Sequence, residues 1–218
     1  MKNLPILYSL HNCPYAIRAR MALYKAGMPV ELRSIKLDNK PSSMLQASPK
    51  GSVPVLVVSR VGLKDDTMVI EESLELMLWA LAQNDPDNLL CPDENVSLTE
   101  MVSFITAFED KFVTALNAFA CAKRYHEPNL EQLRQPCEAV LKEFEQRLTR
   151  HAFLFAEQES LADIAVLPLL RKYARIDKQW FRQSPYPKVR QWLNQYLQSR
   201  MFSKVMEHHE LWQPTKFT

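Results

Sequence analysis

The first 83 residues alternate short apolar runs with amphipathic segments, a pattern that predicts a small α/β domain. Four apolar runs have the length of strands: 4–10, 30–37, 53–58 and 67–70. The segment "PYAIRARMALYKAG" predicts a helix with Pro14 in its first turn and Gly27 at its end. A second helix is predicted at 73–83, where the leucines and Met77 share one stripe. The predicted order is β-α-β-loop-β-β-α, with a hairpin over 59–66 and at most a short irregular helix in the loop.

After this region the pattern becomes helical throughout. Residues 84–97, "NDPDNLLCPDENVS", are polar, acidic and carry two prolines, which is typical of a linker. Beyond them no convincing strand is found, and "SLAD" matches a capping box of Ser160 and Asp163, a signal of folding rather than of a site. Four segments have helical spacing: 98–125, 129–151, 160–176 and 186–206. We therefore expect an all-helical domain over residues 98–218.

Composition narrows the class of protein. The 27 basic and 25 acidic residues give a net charge of +2, which favours neither nucleic acid nor an anionic membrane as partner. Three glycines among 218 residues disfavour a glycine-rich phosphate loop. No apolar run is long enough to span a bilayer, and the N-terminal one lacks a cleavage site, so we expect a cytoplasmic protein. The four cysteines have no metal-ligand spacing and are expected to be free thiols: Cys13, Cys91, Cys121 and Cys137.

Cys13 directly precedes the proline that opens the first predicted helix. A thiol there faces unpaired main-chain N–H groups and the positive end of the helix dipole, and both favour the thiolate. Arg18 and Arg20 add positive charge nearby. On position alone, a reactive thiolate and an ordinary buried thiol are equally open. His11, two residues earlier, is expected to be solvated rather than functional.

Two more elements are unusual. Pro54 stands between valines at a strand start, where it donates no ladder hydrogen bond. A cis bond after Val53 would turn the N–H and C=O groups of Val53 into a site, whereas a plain edge proline is the alternative. In "IEESLEL", Ser73 is predicted as the N-cap of a helix whose free N–H groups suit a carboxylate, and Glu72 suits an ammonium. Capping alone also explains the serine.

In this order and spacing the elements resemble the glutathione transferase superfamily over essentially the whole chain. "VPVL" matches the family's cis-proline strand, "ESLEL" its Glu-Ser motif and "SLADIAVLPLL" its capping-box helix. The resemblance implies a thioredoxin-like, glutathione-binding domain over 1–83, a linker over 84–97 and an all-α helical bundle over 98–218. "NCPYA" is similar to the cysteine-type branch, omega-like or glutaredoxin-like, because the tyrosine and serine types carry a hydroxyl there.

The resemblance also assigns roles to residues. It implies a catalytic Cys13 and seven glutathione-binding residues: Pro14, Tyr15, Lys40, Val53, Pro54, Glu72 and Ser73. Lys40, in an omega-like "NKP" segment, is nominated for the glycyl end of glutathione. The main chain of Val53 would hydrogen-bond the cysteinyl part, while Glu72 and Ser73 would hold the γ-glutamyl end.

A departure from the glutaredoxin pattern bears on mechanism. Ala16 stands where dithiol glutaredoxins have a second cysteine, which excludes a resolving disulfide at this site. The resemblance therefore implies a monothiol route: Cys13 forms a mixed disulfide with glutathione, and a second glutathione releases it. The implied activity is thiol transfer, dehydroascorbate-type reduction or deglutathionylation of a small-molecule or protein-thiol substrate, with glutathione as cosubstrate and no metal. A homodimer is implied as well, each N-terminal domain facing the partner's C-terminal domain.

Two rival functions stay open on the same fold. A conjugating transferase needs a hydroxyl that activates the sulfur of glutathione, and Tyr8, Ser9 and Tyr15 are candidates. A non-enzymatic, partner-binding protein, similar to bacterial relatives that associate with RNA polymerase, needs no helix-capping cysteine beside a glutathione clamp. The complete set of three site elements favours the enzyme.

Overall fold

The chain folds into two compact units. The computed structural model describes residues 4–59 and 67–213. One unit, called unit 1, comprises the described residues up to Pro86 and those from Arg200 on. The other, unit 2, comprises Asp87–Ser199.

Unit 1 is built on a four-stranded sheet. Its elements up to residue 86 are β1 (Ile6–Ser9), α1 (Pro14–Lys25), β2 (Glu31–Ser34), α2 (Ser42–Ala47), β3 (Val55–Ser59), β4 (Thr67–Ile70) and α3 (Ser73–Gln83). These confirm the predicted order, and α2 is the expected short helix. The strand order is β2-β1-β3-β4, with β1 and β2 parallel and the other neighbours antiparallel. The predicted hairpin connection after Ser59 lies outside the described residues.

The register decides which chain segments meet. Tyr8 of β1 pairs with Val55 of β3, and Leu56 pairs with Ile70 of β4. Ser9 pairs with Ser34, the last residue of β2. The C-terminal ends of β1, β2 and β4 therefore lie at the same end of the sheet as the start of β3. The loops that leave or enter the sheet at this end therefore lie close to one another.

Unit 2 is helical within the part of it that the structure describes, as predicted. Its elements are α4 (Leu98–Tyr125), α5 (Leu130–Arg150), α6 (Leu161–Ile176), α7 (Lys178–Gln183) and α8 (Pro187–Leu197). The capping box of Ser160 and Asp163 at the start of α6 is confirmed. Pro136 lies inside α5, which begins at Leu130. Among the described helices none is both long and apolar enough to cross a membrane.

The end of the chain differs from the prediction of one helix over 186–206. Here α8 ends at Leu197 and a separate α9 runs over Arg200–Val205. At the break, the hydroxyl and the N–H of Ser199 both donate to the carbonyl of Tyr196, at 2.7 Å and 3.0 Å, which replaces the helical ladder. Since α9 groups with unit 1, the predicted helical domain over 98–218 differs from the observed unit 2.

Candidate functional site

The three site elements leave the sheet at one end. Cys13 follows β1, Val53–Pro54 precedes β3, and Glu72 with Ser73 follows β4. The loop with Lys40 follows β2. Because the register puts these strand ends together, the segments predicted to bind glutathione emerge side by side.

Cys13 is the N-cap residue of α1, with Pro14 as the first helical residue. Its carbonyl accepts from the N–H of Ile17 at 2.9 Å, and its own N–H donates to Leu10 O at 3.2 Å. The thiol makes no capping hydrogen bond and is half-buried. The first turn of α1 contains no acidic residue. The Cys13 side chain thus lies at the positive end of the α1 dipole, with no acidic residue in the first turn beside it.

Arg20 fixes the loop that carries Cys13. Its guanidinium, 7% exposed, donates to His11 O at 2.8 Å and to Ser9 Oγ at 2.5 Å. A longer contact of 3.4 Å reaches Leu10 O. The Nε of the same guanidinium donates to Val205 O of α9 at 2.9 Å. The loop between β1 and Cys13 is therefore held through its main chain by one buried cation.

His11 differs from the expectation of a solvated side chain. It is half-buried, and its ring centroid lies 6.1 Å from that of His208 in an edge-on arrangement. The tail histidines do not form a metal site: within residues 4–59 and 67–213 no group of three or more His, Cys, Asp or Glu is placed to hold a metal ion.

Lys40 lies against a turn that requires glycine. Gly51 has a φ of +63°, a conformation that strains any side chain. A Cβ on residue 51 would also stand 3.2 Å from Lys40 Nζ and 3.2 Å from Leu45 Cδ2. Gly51 thus allows the Lys40 ammonium to reach the main chain two residues before Val53. The segment "PKGS" contains the signal of a turn, but the role of Gly51 beside Lys40 was not predicted from it.

The Val53–Pro54 peptide bond is cis, as predicted. Pro54 is buried, and β3 begins directly after it at Val55, which agrees with the missing N–H of proline. The side chain of Val53 packs against the buried cluster that contains Tyr8 and Met44. This cluster ties the segment before β3 to β1 and α2.

The start of α3 corrects one prediction. Glu72 is the N-cap residue and Ser73 the first helical residue, and Glu72 makes no side-chain capping bond. The Glu72 carboxylate, exposed at the surface, pairs with the ammonium of Lys50. Its hydrogen bond raises the pKa of Lys50. Glu72 was predicted to bind the ammonium of a ligand. In the structure its carboxylate already pairs with the ammonium of Lys50.

Ser73 is 4% exposed and is held by Arg18. Arg18 Nε and Nη2 both donate to Ser73 Oγ, at 2.9 Å and 2.8 Å. The same guanidinium, itself buried, lies 5.0 Å from the centre of the Tyr15 ring. From the sequence, Arg18 was predicted only to add positive charge near Cys13. A stronger signal lay in the apolar run "AIRARMAL", because an arginine inside such a run needs a partner once the run is buried. Residues 16–23 are indeed all buried.

The hydroxyls considered for conjugation chemistry fall into two groups. Tyr8 is 2% exposed; its hydroxyl donates to Ser43 Oγ at 2.9 Å and accepts from Arg33 at 3.0 Å. Ser9 is 1% exposed, and its hydroxyl accepts a hydrogen bond from the guanidinium of Arg20. Tyr15 is half-buried. Tyr8 and Ser9 therefore have structural partners inside the fold.

Comparison with known proteins assigns both parts of the chain to one family. Residues 7–88 match the model of the glutathione S-transferase N-terminal domain, and residues 127–195 match that of the C-terminal domain. Mouse glutathione S-transferase omega-1 is 26% identical over 190 residues, covering 86% of this chain and 74% of that protein. Pyrimidodiazepine synthase of Drosophila melanogaster is 28% identical over 194 residues, with the same coverage of 86% and 74%.

Solved structures agree on the fold. A glutathione transferase family member from Pseudomonas fluorescens, with two glutathione molecules bound, superposes with a TM-score of 0.78 at 17% identity, covering 94% of this chain and 93% of that one. Glutathione transferase Omega 3C of Trametes versicolor gives 0.78 at 20% identity, covering 96% and 92%. With both domain models matched in order, the chain belongs to the glutathione S-transferase superfamily.

Proposed function

We propose that the chain is a glutathione-dependent thiol transferase in which Cys13 is the nucleophile. The observation that carries the proposal is the position of Cys13: a half-buried thiol at the N-cap of α1, beside the two strand ends that bear Val53–Pro54 and Glu72. Omega-type relatives among the similar proteins support a transferase of this branch.

The chemistry uses two successive thiol–disulfide exchanges. In the first, the Cys13 thiolate attacks the glutathione sulfur of a mixed disulfide between glutathione and a substrate thiol. The Cys13–glutathione bond forms, and the substrate leaves as a thiolate that takes up a proton. In the second, a glutathione that has lost its thiol proton attacks the glutathione sulfur of this adduct, giving glutathione disulfide and restoring Cys13. The net reaction reduces the substrate and oxidises glutathione, and no outside oxidant is needed.

Unit 1 contains no second cysteine that could resolve the adduct. Cys91, Cys121 and Cys137 all belong to unit 2, and Ala16 occupies the position one turn along α1. The second thiol must then come from glutathione itself. This agrees with a monothiol route rather than a dithiol one.

The residues around Cys13 suit the three parts of glutathione. Lys40 provides an ammonium for the glycyl carboxylate, and the main chain of Val53 provides hydrogen bonds for the cysteinyl part. Ser73 and the start of α3 suit the γ-glutamyl carboxylate, while Glu72 would exchange Lys50 for the γ-glutamyl ammonium. The related Pseudomonas protein was solved with glutathione bound, which supports glutathione as the cosubstrate.

Intact-protein mass spectrometry after incubation with glutathione disulfide tests the proposal. We expect one glutathionyl adduct, mapped by peptide analysis to Cys13 and removed by added glutathione. Cys13→Ser should lose the adduct and reduce thiol transfer to 2-hydroxyethyl disulfide to background. Cys121→Ser, which removes an exposed cysteine of unit 2, is the matched control and should keep both. Absence of an adduct on Cys13 in the wild-type protein would refute the mechanism.

Conjugation of glutathione to an electrophile is the second candidate function. The partners of Tyr8 and Ser9 weigh against it, because neither hydroxyl is available without breaking a buried contact. Tyr15 is the hydroxyl that keeps this candidate open. Rapid conjugation of 1-chloro-2,4-dinitrobenzene by a protein that forms no Cys13 adduct would favour it over thiol transfer.

A further inference from the structure

Arg18 touches two residues of the proposed glutathione site at once. Its guanidinium stacks on Tyr15 and donates two hydrogen bonds to the hydroxyl of Ser73. Arg18 and Ser73 are each only 4% exposed. A buried guanidinium is a fixed positive charge, because arginine does not deprotonate in proteins.

The two hydrogen bonds decide the direction of the Ser73 proton. A hydroxyl has one hydrogen to donate and two lone pairs that accept. The Nε–H and Nη2–H groups of Arg18 use the accepting side of Ser73 Oγ. The O–H hydrogen must therefore point away from the guanidinium. A charged donor on the oxygen also polarises the O–H bond, which makes the hydroxyl a stronger donor.

The charge of Arg18 also favours an anion at this helix start. The unpaired N–H groups of a helix start attract a carboxylate, but Glu75 in the first turn of α3 repels it. Glu72, the N-cap residue, is paired with the ammonium of Lys50 and adds less to this repulsion. The fixed positive charge of Arg18, supplied from α1, offsets the repulsion from Glu75.

We propose that Arg18 is a positioning residue that selects glutathione by the anionic carboxylate of its γ-glutamyl end. It does so by turning the Ser73 hydroxyl into a polarised donor and by offsetting the charge of Glu75. This role rests on the proposed function, since it concerns the glutathione of the thiol-transfer reaction. The ring of Tyr15 makes a cation–π contact with the same guanidinium and so helps to hold it in position.

The experiment compares two disulfides that react with the same Cys13. Glutathione disulfide carries the γ-glutamyl carboxylate, whereas 2-hydroxyethyl disulfide carries no charge. The rate of adduct formation is followed by intact-protein mass spectrometry for the wild-type protein and for Arg18→Gln. The variant should react with glutathione disulfide roughly tenfold or more slowly, the worth of one charge-assisted hydrogen bond. Its reaction with 2-hydroxyethyl disulfide should be slowed much less, so the ratio of the two rates should fall by most of that factor. Any effect of the Arg18 charge on the Cys13 sulfur acts on both disulfides alike and cancels from this ratio.

Arg134→Gln is the matched control in unit 2. Arg134 is also a mostly buried guanidinium stacked on an aromatic ring, at 4.2 Å from the centre of Trp180. Its loss should leave the ratio of the two rates unchanged. A further measurement covers the case in which Arg18→Gln does not fold. Glutathione and its glutamyl α-carboxamide are allowed to compete for the wild-type protein. Glutathione, which keeps the carboxylate, should bind roughly tenfold or more tightly than the carboxamide.

The outcomes separate the two proposals. If the wild-type protein forms no Cys13 adduct with glutathione disulfide, the proposed function is refuted. If the wild-type protein forms the adduct but Arg18→Gln keeps the wild-type ratio of rates, only the role of Arg18 is refuted. Equal slowing with both disulfides, or equal binding of glutathione and its carboxamide, also overturns the selectivity.

Discussion

Asp163→Asn is the substitution whose effect can be worked out most fully from the structure. Asp163 is completely buried at the start of α6. Its Oδ1 accepts from Leu154 N–H and from Trp192 Nε1–H, both at 3.0 Å. Its Oδ2 accepts from the N–H of Ser160 at 3.1 Å and from the Ser160 hydroxyl at 2.5 Å. Asparagine keeps one oxygen but replaces the other with an NH₂ group, which would face two donors.

The magnitude follows from those contacts. The N–H of Ser160 loses its acceptor, and leaving a buried donor unsatisfied costs about 1–3 kcal/mol. The new amide brings a further buried donor of similar cost, part of which the Ser160 hydroxyl recovers by rotating to accept from it. We expect unfolding free energy to fall by about 2–4 kcal/mol at pH 7, a large share of the total stability of a typical protein. Denaturant unfolding followed by circular dichroism measures it.

The pH dependence gives a second, independent test. Burial raises the pKa of Asp163 from 3.8 to about 6, against the hydrogen bonds, which lower it. A carboxyl whose pKa is raised on folding contributes stability below the unfolded pKa, and loses it as the pH rises through the folded pKa. The wild-type advantage over Asp163→Asn should therefore grow by about 1 kcal/mol when the pH falls from 7 to 5.

Asp177→Asn provides a control of opposite sign. Burial raises the pKa of Asp177, but the hydrogen bonds from Lys123 and from the N–H of Trp180 outweigh it, so the pKa is lowered overall. Its contribution is present above the unfolded pKa and is lost as the pH falls through the folded one. A loss below 1 kcal/mol for Asp163→Asn at pH 7, or an advantage that shrinks toward pH 5, would refute the account of Asp163.

Two further predictions concern unit 1 and the assembly. Gly51→Ala should lower the free energy of unfolding by about 1–2 kcal/mol, because residue 51 has a positive φ. It should also raise KM for glutathione more than it changes kcat, because the added Cβ displaces Lys40. Gly27→Ala is matched in φ at +62°, but its Cβ would make only an ordinary van der Waals contact, with Asn84 Nδ2 at 3.9 Å, so it should cost stability alone. Equal KM values for both variants would contradict the role of Lys40. Light scattering at micromolar concentration should give twice the monomer mass, as the superfamily's dimers imply, and a monomeric mass would contradict it.

Local patterns predicted the elements of unit 1 well because each has its own signal. Pro14 marks the start of α1, and the apolar runs before and after it have strand length. The capping box of α6 was predictable because Ser160 and Asp163 have the residue types and spacing that form one. The cis bond at Val53–Pro54 was implied by the resemblance, since the residues alone also allowed a plain edge proline. Bringing Cys13, Val53 and Glu72 to one end of the sheet depended on the resemblance, since strand order is not written in any single segment.

Long-range partners were beyond the sequence. Arg18 and Arg20 look alike in "AIRARMAL", yet one binds Ser73 of α3 and the other binds the carbonyl of Val205. The local sequence does not show which distant residue each of these buried cations binds, because those two partners lie 55 and 185 positions away. The placement of α9 was missed for the same reason: helical spacing predicts a helix but not the unit against which it packs.

The N-cap of α3 shows a different limit. Serine and glutamate are adjacent, and serine has the stronger capping preference, so Ser73 was the natural prediction. The helix begins one residue earlier instead, and the Ser73 hydroxyl accepts from Arg18 rather than from its own helix. Tertiary bonding with a buried guanidinium outweighed a local propensity.

The hydrogen bond from Arg20 to Val205 has a consequence for biosynthesis. Arg20 leaves the ribosome 185 residues before Val205 of α9. Until α9 has been made, Arg20 can hold this loop only through its bonds to Ser9, Leu10 and His11. A nascent chain would thus carry Cys13 on a loop that α9 does not yet fix. The loop before Cys13 would gain its last tie to the fold only after the helical unit between them has been synthesised.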